Sequence, residues 1–257
     1  MKKATRCVVC GVAAVLAAAC VMGLALPVRA DQVVLKEGAG GYAGCTDTYI
    51  DSQSATSNFG TLWYMHLYMY NDAPRRSALV EFDLAGQIPQ NAVIDSATLS
   101  LWVYQTVDMD SNDYVYVAPF RVGPFRDWVE TQATWNVFAG SSYWGTAGCE
   151  FVPSDRSGTA DCNPLYFDQD SQVNRYYHWT VTSSVQAWYG GTANQGWLMR
   201  VTTHDGAAGE GISLNGTEGG LDYRPYLTIN YHMIPEPATL GLLGAGLAAA
   251  AIRRKRS

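Results

Sequence analysis

Apolar and polar side chains alternate with a period of two along most of this chain. In Leu62-Trp63-Tyr64-Met65-His66-Leu67-Tyr68-Met69-Tyr70, one face carries Trp63, Met65, Leu67 and Met69. Ala78, Val80, Phe82 and Leu84 alternate with Leu79, Glu81 and Asp83; Ala97, Leu99, Leu101 and Val103 alternate with Thr98, Ser100, Trp102 and Tyr104. Residues 114–117 and 226–231 repeat the theme, and Gly, Asn, Asp and Pro separate the runs. Short β-branched and aromatic runs between turn residues predict strands. No strand–helix–strand rhythm suggests a parallel sheet. One short helix is expected, with Ser183 and Gln186 as a capping box, Val185 and Trp188 on one face, and Gly190-Gly191 closing it. The pattern predicts an all-β fold, an antiparallel β-sandwich of the jelly-roll kind with one short helix.

The two ends break the alternation. A basic start (Lys2, Lys3, Arg6) is followed by an apolar run from Cys7 to about Leu26, and Val28 and Ala30 supply small residues at −3 and −1 of a cleavage site. This is the order of a secretory signal peptide over 1–30. At the other end Pro235-Glu236-Pro237 precedes an apolar stretch, 238–252, and then Arg253-Arg254-Lys255-Arg256. Fifteen helical residues reach only about 22 Å against a hydrocarbon core of roughly 30 Å, so such a transmembrane helix spans with help from its flanks. The basic cluster is expected to stay cytoplasmic, leaving the body outside. Triplet, short apolar helix and basic tail together resemble the PEP-CTERM sorting signal over 233–257. That resemblance implies recognition by an exosortase-type membrane peptidase in a bacterium that makes exopolysaccharide, with transient anchoring in the inner membrane.

The expected domain is therefore 31–232, long enough for one core. The whole chain has a formal charge of −6, yet 31–232 holds 22 acidic side chains against nine basic ones, a net −13. Such a body repels nucleic acid, anionic lipid and polyanionic sugars unless divalent cations intervene. Its three cysteines are Cys45, Cys149 and Cys162. In an oxidising compartment, Cys149 and Cys162 are expected to close the turn-rich loop between them as a disulfide.

Candidate chemistry follows from side chains opposite the aliphatic faces. Tyr64 and Tyr68, Trp102 and Tyr104, and Tyr114 and Tyr116 fall there, and rings stack on the C–H faces of sugars. Trp128, Trp135, Trp179, Trp188 and Trp197 are expected to pack in the core or at its rim, and Glu130 to stabilise a turn. Asp108, Asp110 and Asn112 place hard oxygen ligands at alternate positions, the chemistry of Ca²⁺, without the glycine and glutamate of an EF-hand. No other cofactor is suggested. The four histidines are scattered, and no nucleophile elbow or phosphate loop occurs, so no catalytic residue is nominated. Jelly-roll polysaccharide lyases place a Tyr/His pair with arginines on one sheet face, and their strand motifs are not found here.

An ordered series of short motifs runs from 45 to 231. It comprises Asp47-Thr48-Tyr49-Ile50, Ser57-Asn58-Phe59-Gly60, Arg76 through Leu84, Ile88-Pro89 through Leu99, Trp128-Val129-Glu130 and Thr134-Trp135-Asn136. Val181-Thr182 through Trp188, Asn194-Gln195-Gly196-Trp197 and Arg224-Pro225-Tyr226-Leu227-Thr228-Ile229 complete it. In this order it resembles the DNRLRE domain, a secreted module grouped with carbohydrate-binding modules. The resemblance implies a jelly roll and a non-catalytic role, with a polysaccharide or exopolysaccharide matrix as partner. Some members are credited with binding acidic polysaccharides through basic residues, whereas this body has one lysine. The expectation is an exported surface or matrix-associated carbohydrate-binding protein. The rival expectation is a structural or adhesive surface protein that binds another protein.

Overall fold

The structure, a computed structural model, describes residues 30–205 and 209–234. Residues 1–29 of the expected signal peptide and the sorting residues Pro235, Glu236, Pro237, Arg253 and Arg254 lie outside the described residues, and Ala30 opens the first strand. None of the described helices is long and apolar enough to cross a membrane. The folded unit spans Ala30–His232.

Thirteen strands carry the fold: β1 (Ala30–Lys36), β2 (Cys45–Asp51), β3 (Tyr64–Tyr70), β4 (Ala73–Phe82), β5 (Ala92–Val107), β6 (Tyr114–Arg121), β7 (Val137–Ala139), β8 (Ser142–Tyr143), β9 (Leu165–Asp168), β10 (Arg175–Thr180), β11 (Trp197–His204), β12 (Gly209–Asn215) and β13 (Tyr226–Met233). Eleven of them form one hydrogen-bonded sheet in the order β1-β13-β5-β12-β3-β4-β11-β6-β9, with β10 added on β5 and β2 on β4. The ladders joining β1 to β13, β10 and β12 to β5, β3 to β12 and β4, β2 and β11 to β4, and β6 to β11 and β9 are antiparallel, as expected. The hydrogen bonding is continuous, so the sandwich-like body is a single, strongly curled sheet. Two long strands make the curl possible. β5 pairs with β10 over Thr98–Val103 and with β12 over Val103–Val107, and β4 passes from β3 at Ala73–Arg76 to β2 at Arg76–Phe82. A long twisted strand that changes neighbours bends the sheet around its own inner face.

The predicted apolar faces point inward. Met65 and Leu67 on β3, Ala97, Leu99, Leu101 and Val103 on β5, and Val115 and Val117 on β6 are all fully buried. Trp179 and Trp197 share this core, as the sequence suggested for them. Trp63 departs from the pattern. It lies just outside β3 and is 48% exposed, because the strand begins one residue later and the preceding turn swings the indole outward.

β4 is buried on both faces. Ala78, Val80 and Phe82 enter the main core, while Leu79 joins Ile50, Val122, Trp128, Ala133, Trp144, Cys149 and Leu198 in a second apolar cluster. That cluster forms because residues 122–164 fold back over the outer face of β2, β4 and β11, with the β7–β8 hairpin inside them. Polar bonds fix this cover. The Asp155 side chain is fully buried and accepts the backbone N–H groups of Gly145, Thr146 and Phe151 at 2.8, 2.9 and 3.0 Å, and Arg126 Nε at 2.6 Å. Glu150 Oε2 accepts from both Arg156 and Arg200 at 2.7 Å.

Two expectations are corrected here. Cys149 and Cys162 are both free thiols, as is Cys45. Cys149 belongs to the second cluster, where its Sγ donates to the Asp155 carbonyl at 3.3 Å, whereas Cys162 packs against the main core. The loop between them is anchored near its start by the buried Asp155 carboxylate, which accepts the Phe151 N–H. The short helix α1 (Thr182–Tyr189) exists, buries Val185 and Trp188, and stops at Gly190-Gly191. Its capping box does not form, since the cap is Val181 without a side-chain bond and Gln186 donates to the Ile94 carbonyl.

Candidate functional site

β5 alternates, so the residues flanking buried Leu101 and Val103 face outward. Trp102 and Tyr104 therefore stand on the outer face, with Tyr176 of β10 opposite Trp102 in register and 5.1 Å from it edge-on. Across β12 and β3 the exposed Trp63 reaches Tyr104, with ring centroids 5.2 Å apart. The turn before β13 brings Tyr223 to within 4.7 Å of Trp102. Trp63, Trp102, Tyr104 and Tyr223 wall an open pocket of about 760 Å³. Asn174, Asn215 and Glu218 add polar groups, and Gly219 and Gly220 add backbone. The turn is tied to the sheet by Gly216 N–H on the Trp63 carbonyl at 2.9 Å and by Gly219 N–H on the Gly216 carbonyl at 3.1 Å. Apolar walls with a few convergent polar groups suit a ligand that has both a flat apolar face and hydroxyls.

The six aromatic residues nominated from sequence do not form one surface. Trp102 and Tyr104 line the pocket. Tyr64 stands behind Trp63 at 5.1 Å and stacks towards Tyr49 and His66. Burial, together with the Arg76 guanidinium, holds the His66 imidazole down at about 4, and its Nδ1 pairs with Ser213 Oγ at 2.7 Å. Tyr68 donates to Asp108 Oδ2 at 2.9 Å and lies under Arg76. Tyr114 and Tyr116 join Tyr166 of β9 in a separate cluster with centroids 5.4–5.8 Å apart. The split arises because β5 and β6, although consecutive, are not hydrogen-bonded to each other; β6 pairs with β11 and β9.

The acidic turn after β5 engages one carboxylate with β3 and another with its own backbone. Asp108 accepts from Tyr68, and Asp113 Oδ2 accepts the Asp110 N–H at 2.7 Å. Asn112 is exposed in the same turn. Among the described residues, two other groups bring three His, Cys, Asp or Glu side chains within cation-sharing distance: His204, Asp205 and Glu210, and Asp47, Glu130 and Glu218.

The second group adjoins the pocket, because Glu218 also lines it. Asp47 is buried, and its Oδ2 accepts the Thr217 N–H at 2.7 Å. Glu130 Oε1 accepts the Asp47 N–H at 2.8 Å, so it braces strand β2 where the sequence suggested that it stabilises a turn. Burial, reinforced by Glu218, pushes the Asp47 carboxyl well above the ordinary carboxylate range despite the Thr217 bond. A carboxyl whose folded value lies above its unfolded one favours folding while protonated. That contribution is lost as pH climbs from about 4 towards the raised value. Asp47→Asn keeps an acceptor for Thr217 without the charge. The variant should therefore lose less stability than the parent between acidic and neutral pH, measured as urea midpoints at matched pH values. Parallel pH profiles would overturn this assignment.

Two family models match the chain. Carbohydrate-binding module family 96 matches residues 42–138, from just before β2 into β7, and the PEP-CTERM protein-sorting motif matches residues 234–256. No curated protein matches the chain at a significant level. The first match includes Trp63, Trp102, Tyr104 and Glu130; Asn174, Asn215, Glu218 and Tyr223 lie beyond it. The motif series read from the sequence thus coincides with a carbohydrate-binding module model as far as residue 138, and the C-terminal triplet, apolar stretch and basic tail coincide with the PEP-CTERM sorting motif.

Proposed function

We propose that this protein is an exported, non-catalytic, glycan-binding protein of the cell surface or extracellular matrix, a jelly-roll module delivered by an exosortase-type system. The observation that carries the reading is the pocket walled by Trp63, Trp102, Tyr104 and Tyr223 on the outer face of the sheet. Rings in two orientations offer both a stacking platform and an edge, while Asn174 and Asn215 supply amide donors and acceptors for hydroxyls. The family 96 and sorting-motif matches support binding and export, in that order. A non-catalytic role agrees with the carboxylates nearby: Asp47 and Glu130 are engaged with backbone N–H groups and act as scaffold.

The test is a glycan array followed by calorimetry on the full chain in mild detergent. Trp102→Ala should weaken binding to a responsive glycan at least tenfold, about 1.4 kcal/mol. Tyr116→Ala, in the separate tyrosine cluster, should leave it unchanged. Equal affinities for parent and Trp102→Ala would place the site elsewhere.

A further inference from the structure

The pocket's charge is one-sided. Among the described residues that line it, Glu218 is the one that carries a charge. It is exposed, its Oε2 accepts from Thr217 Oγ1 at 3.2 Å, and its carboxylate lies within 4.8 Å of those of Asp47 and Glu130. Two cations stand beside this wall without lining it. Lys36 Nζ donates to Tyr176 Oη at 3.1 Å and to the Asp222 carbonyl at 3.3 Å. Arg224 donates to the carbonyls of Gly219 and Glu37. A ligand in the pocket therefore meets ring faces and a carboxylate backed by further carboxyl groups, and no cation.

This arrangement discriminates by charge. A uronate would bring a second anion against Glu218 in a partly desolvated space, where like charges repel most. A neutral sugar would strip water from the Glu218 carboxylate without replacing it by a full counter-charge. A sugar ring bearing an ammonium group meets both features together. Its C–H face stacks on Trp102 or Tyr104, its charge is attracted to the ring quadrupoles, and its amine forms a charge-assisted hydrogen bond with Glu218.

We propose that the pocket selects glycans carrying free amines, de-N-acetylated hexosamine units, with Glu218 as the specificity-determining residue. The inference rests on the pocket being the glycan site, and the two stand or fall separately in the following experiment. Matched glucosamine and N-acetylglucosamine oligomers, in β-1,4 and β-1,6 linkage, are titrated into the full chain in mild detergent at low ionic strength. In at least one linkage the free-amine oligomer should bind at least tenfold more tightly than its N-acetylated partner. Glu218→Gln should erase that preference while leaving the N-acetylated oligomer's Kd within twofold, and Asp170→Asn, an exposed carboxylate outside the pocket, should leave the preference intact. Equal affinity for the two members, or a preference that survives Glu218→Gln, overturns amine selection; if Trp102→Ala still weakens both members, the pocket itself stands. Binding indifferent to Trp102→Ala removes the pocket, and this inference with it. Thermal melts of Glu218→Gln confirm that its altered binding is not loss of fold.

Discussion

Replacing Asp155 by alanine should lower the stability of the folded unit by about 3–5 kcal/mol, the cost of breaking a buried, fully bonded ionic group. Three backbone N–H groups and the Arg126 guanidinium converge on its carboxylate, so the alanine variant leaves four donors without the buried acceptor they share. Those donors belong to the cover formed by residues 122–164. The loss should therefore appear as exposure of Trp135 and Trp144 as well as a fall in Tm of about 10 °C for a unit of this size. The pH dependence has a definite sign. These hydrogen bonds hold the Asp155 carboxyl below its usual range even though burial alone would raise it. A depressed carboxyl stabilises the fold above its unfolded value, about 3.9, and that stabilisation is lost as pH falls through the folded value. The gap between parent and variant should accordingly be widest near neutral pH and shrink in acid. A variant melting within about 2 °C of the parent would refute the assignment of Asp155 as the keystone of the cover.

Gly196→Ala should cost at least about 3 kcal/mol, from two sources that can be separated. The residue has φ +65°, and a non-glycine residue in the left-handed region costs roughly 1–2 kcal/mol. In addition, a Cβ there would lie 2.2 Å from the Val80 carbonyl oxygen. Val80 pairs with Trp197 at the start of the β4–β11 ladder, so the clash can be relieved only by moving a core strand. The backbone of Gly196 is bonded on both sides, from its N–H to Asn194 Oδ1 and from its carbonyl to the Val122 N–H. Gly86→Ala is the matched control, with φ +71° and open space around its Cβ, and should show the conformational cost alone. Equal losses for the two variants in denaturant titrations would remove the steric argument.

Strand positions and the aliphatic core were legible because a period of two is a local property: Leu99, Leu101 and Val103 point inward in both sequence and structure. The family likeness was legible for the same reason, as short motifs in order. What could not be read was which distant segments meet. The pocket takes Asn174, Glu218 and Tyr223 from connections far along the chain and Asn215 from the end of β12, and no local pattern marks them beyond the turn signal of Gly219-Gly220. Tyr114 and Tyr116 follow Tyr104 closely in sequence, yet the chain crosses to β11 and β9 between them. Cys149 and Cys162 looked like a bridge because spacing reveals loop length, whereas the apolar cluster that claims Cys149 depends on Ile50, Leu79 and Leu198 arriving from three other strands.

The exit of the chain through β13 bears on how the body carries mechanical load. Tyr223, at one end, forms part of the pocket wall; the strand then runs from Tyr226 to Met233, and the sorting motif follows. A pull between a glycan held in the pocket and a tethered C-terminus would act along β13. That strand is flanked by β1, in register over all seven residues from Ala30↔His232 to Lys36↔Tyr226, and by β5 on its other side. Tension along a strand paired on both edges loads its hydrogen bonds together in shear, so they share the force instead of opening one after another. The same ladder would unzip bond by bond if pulled apart at Ala30 and His232. A body so built would resist a pull between the pocket wall and the C-terminal end of β13, and would yield to one that separates Ala30 from His232.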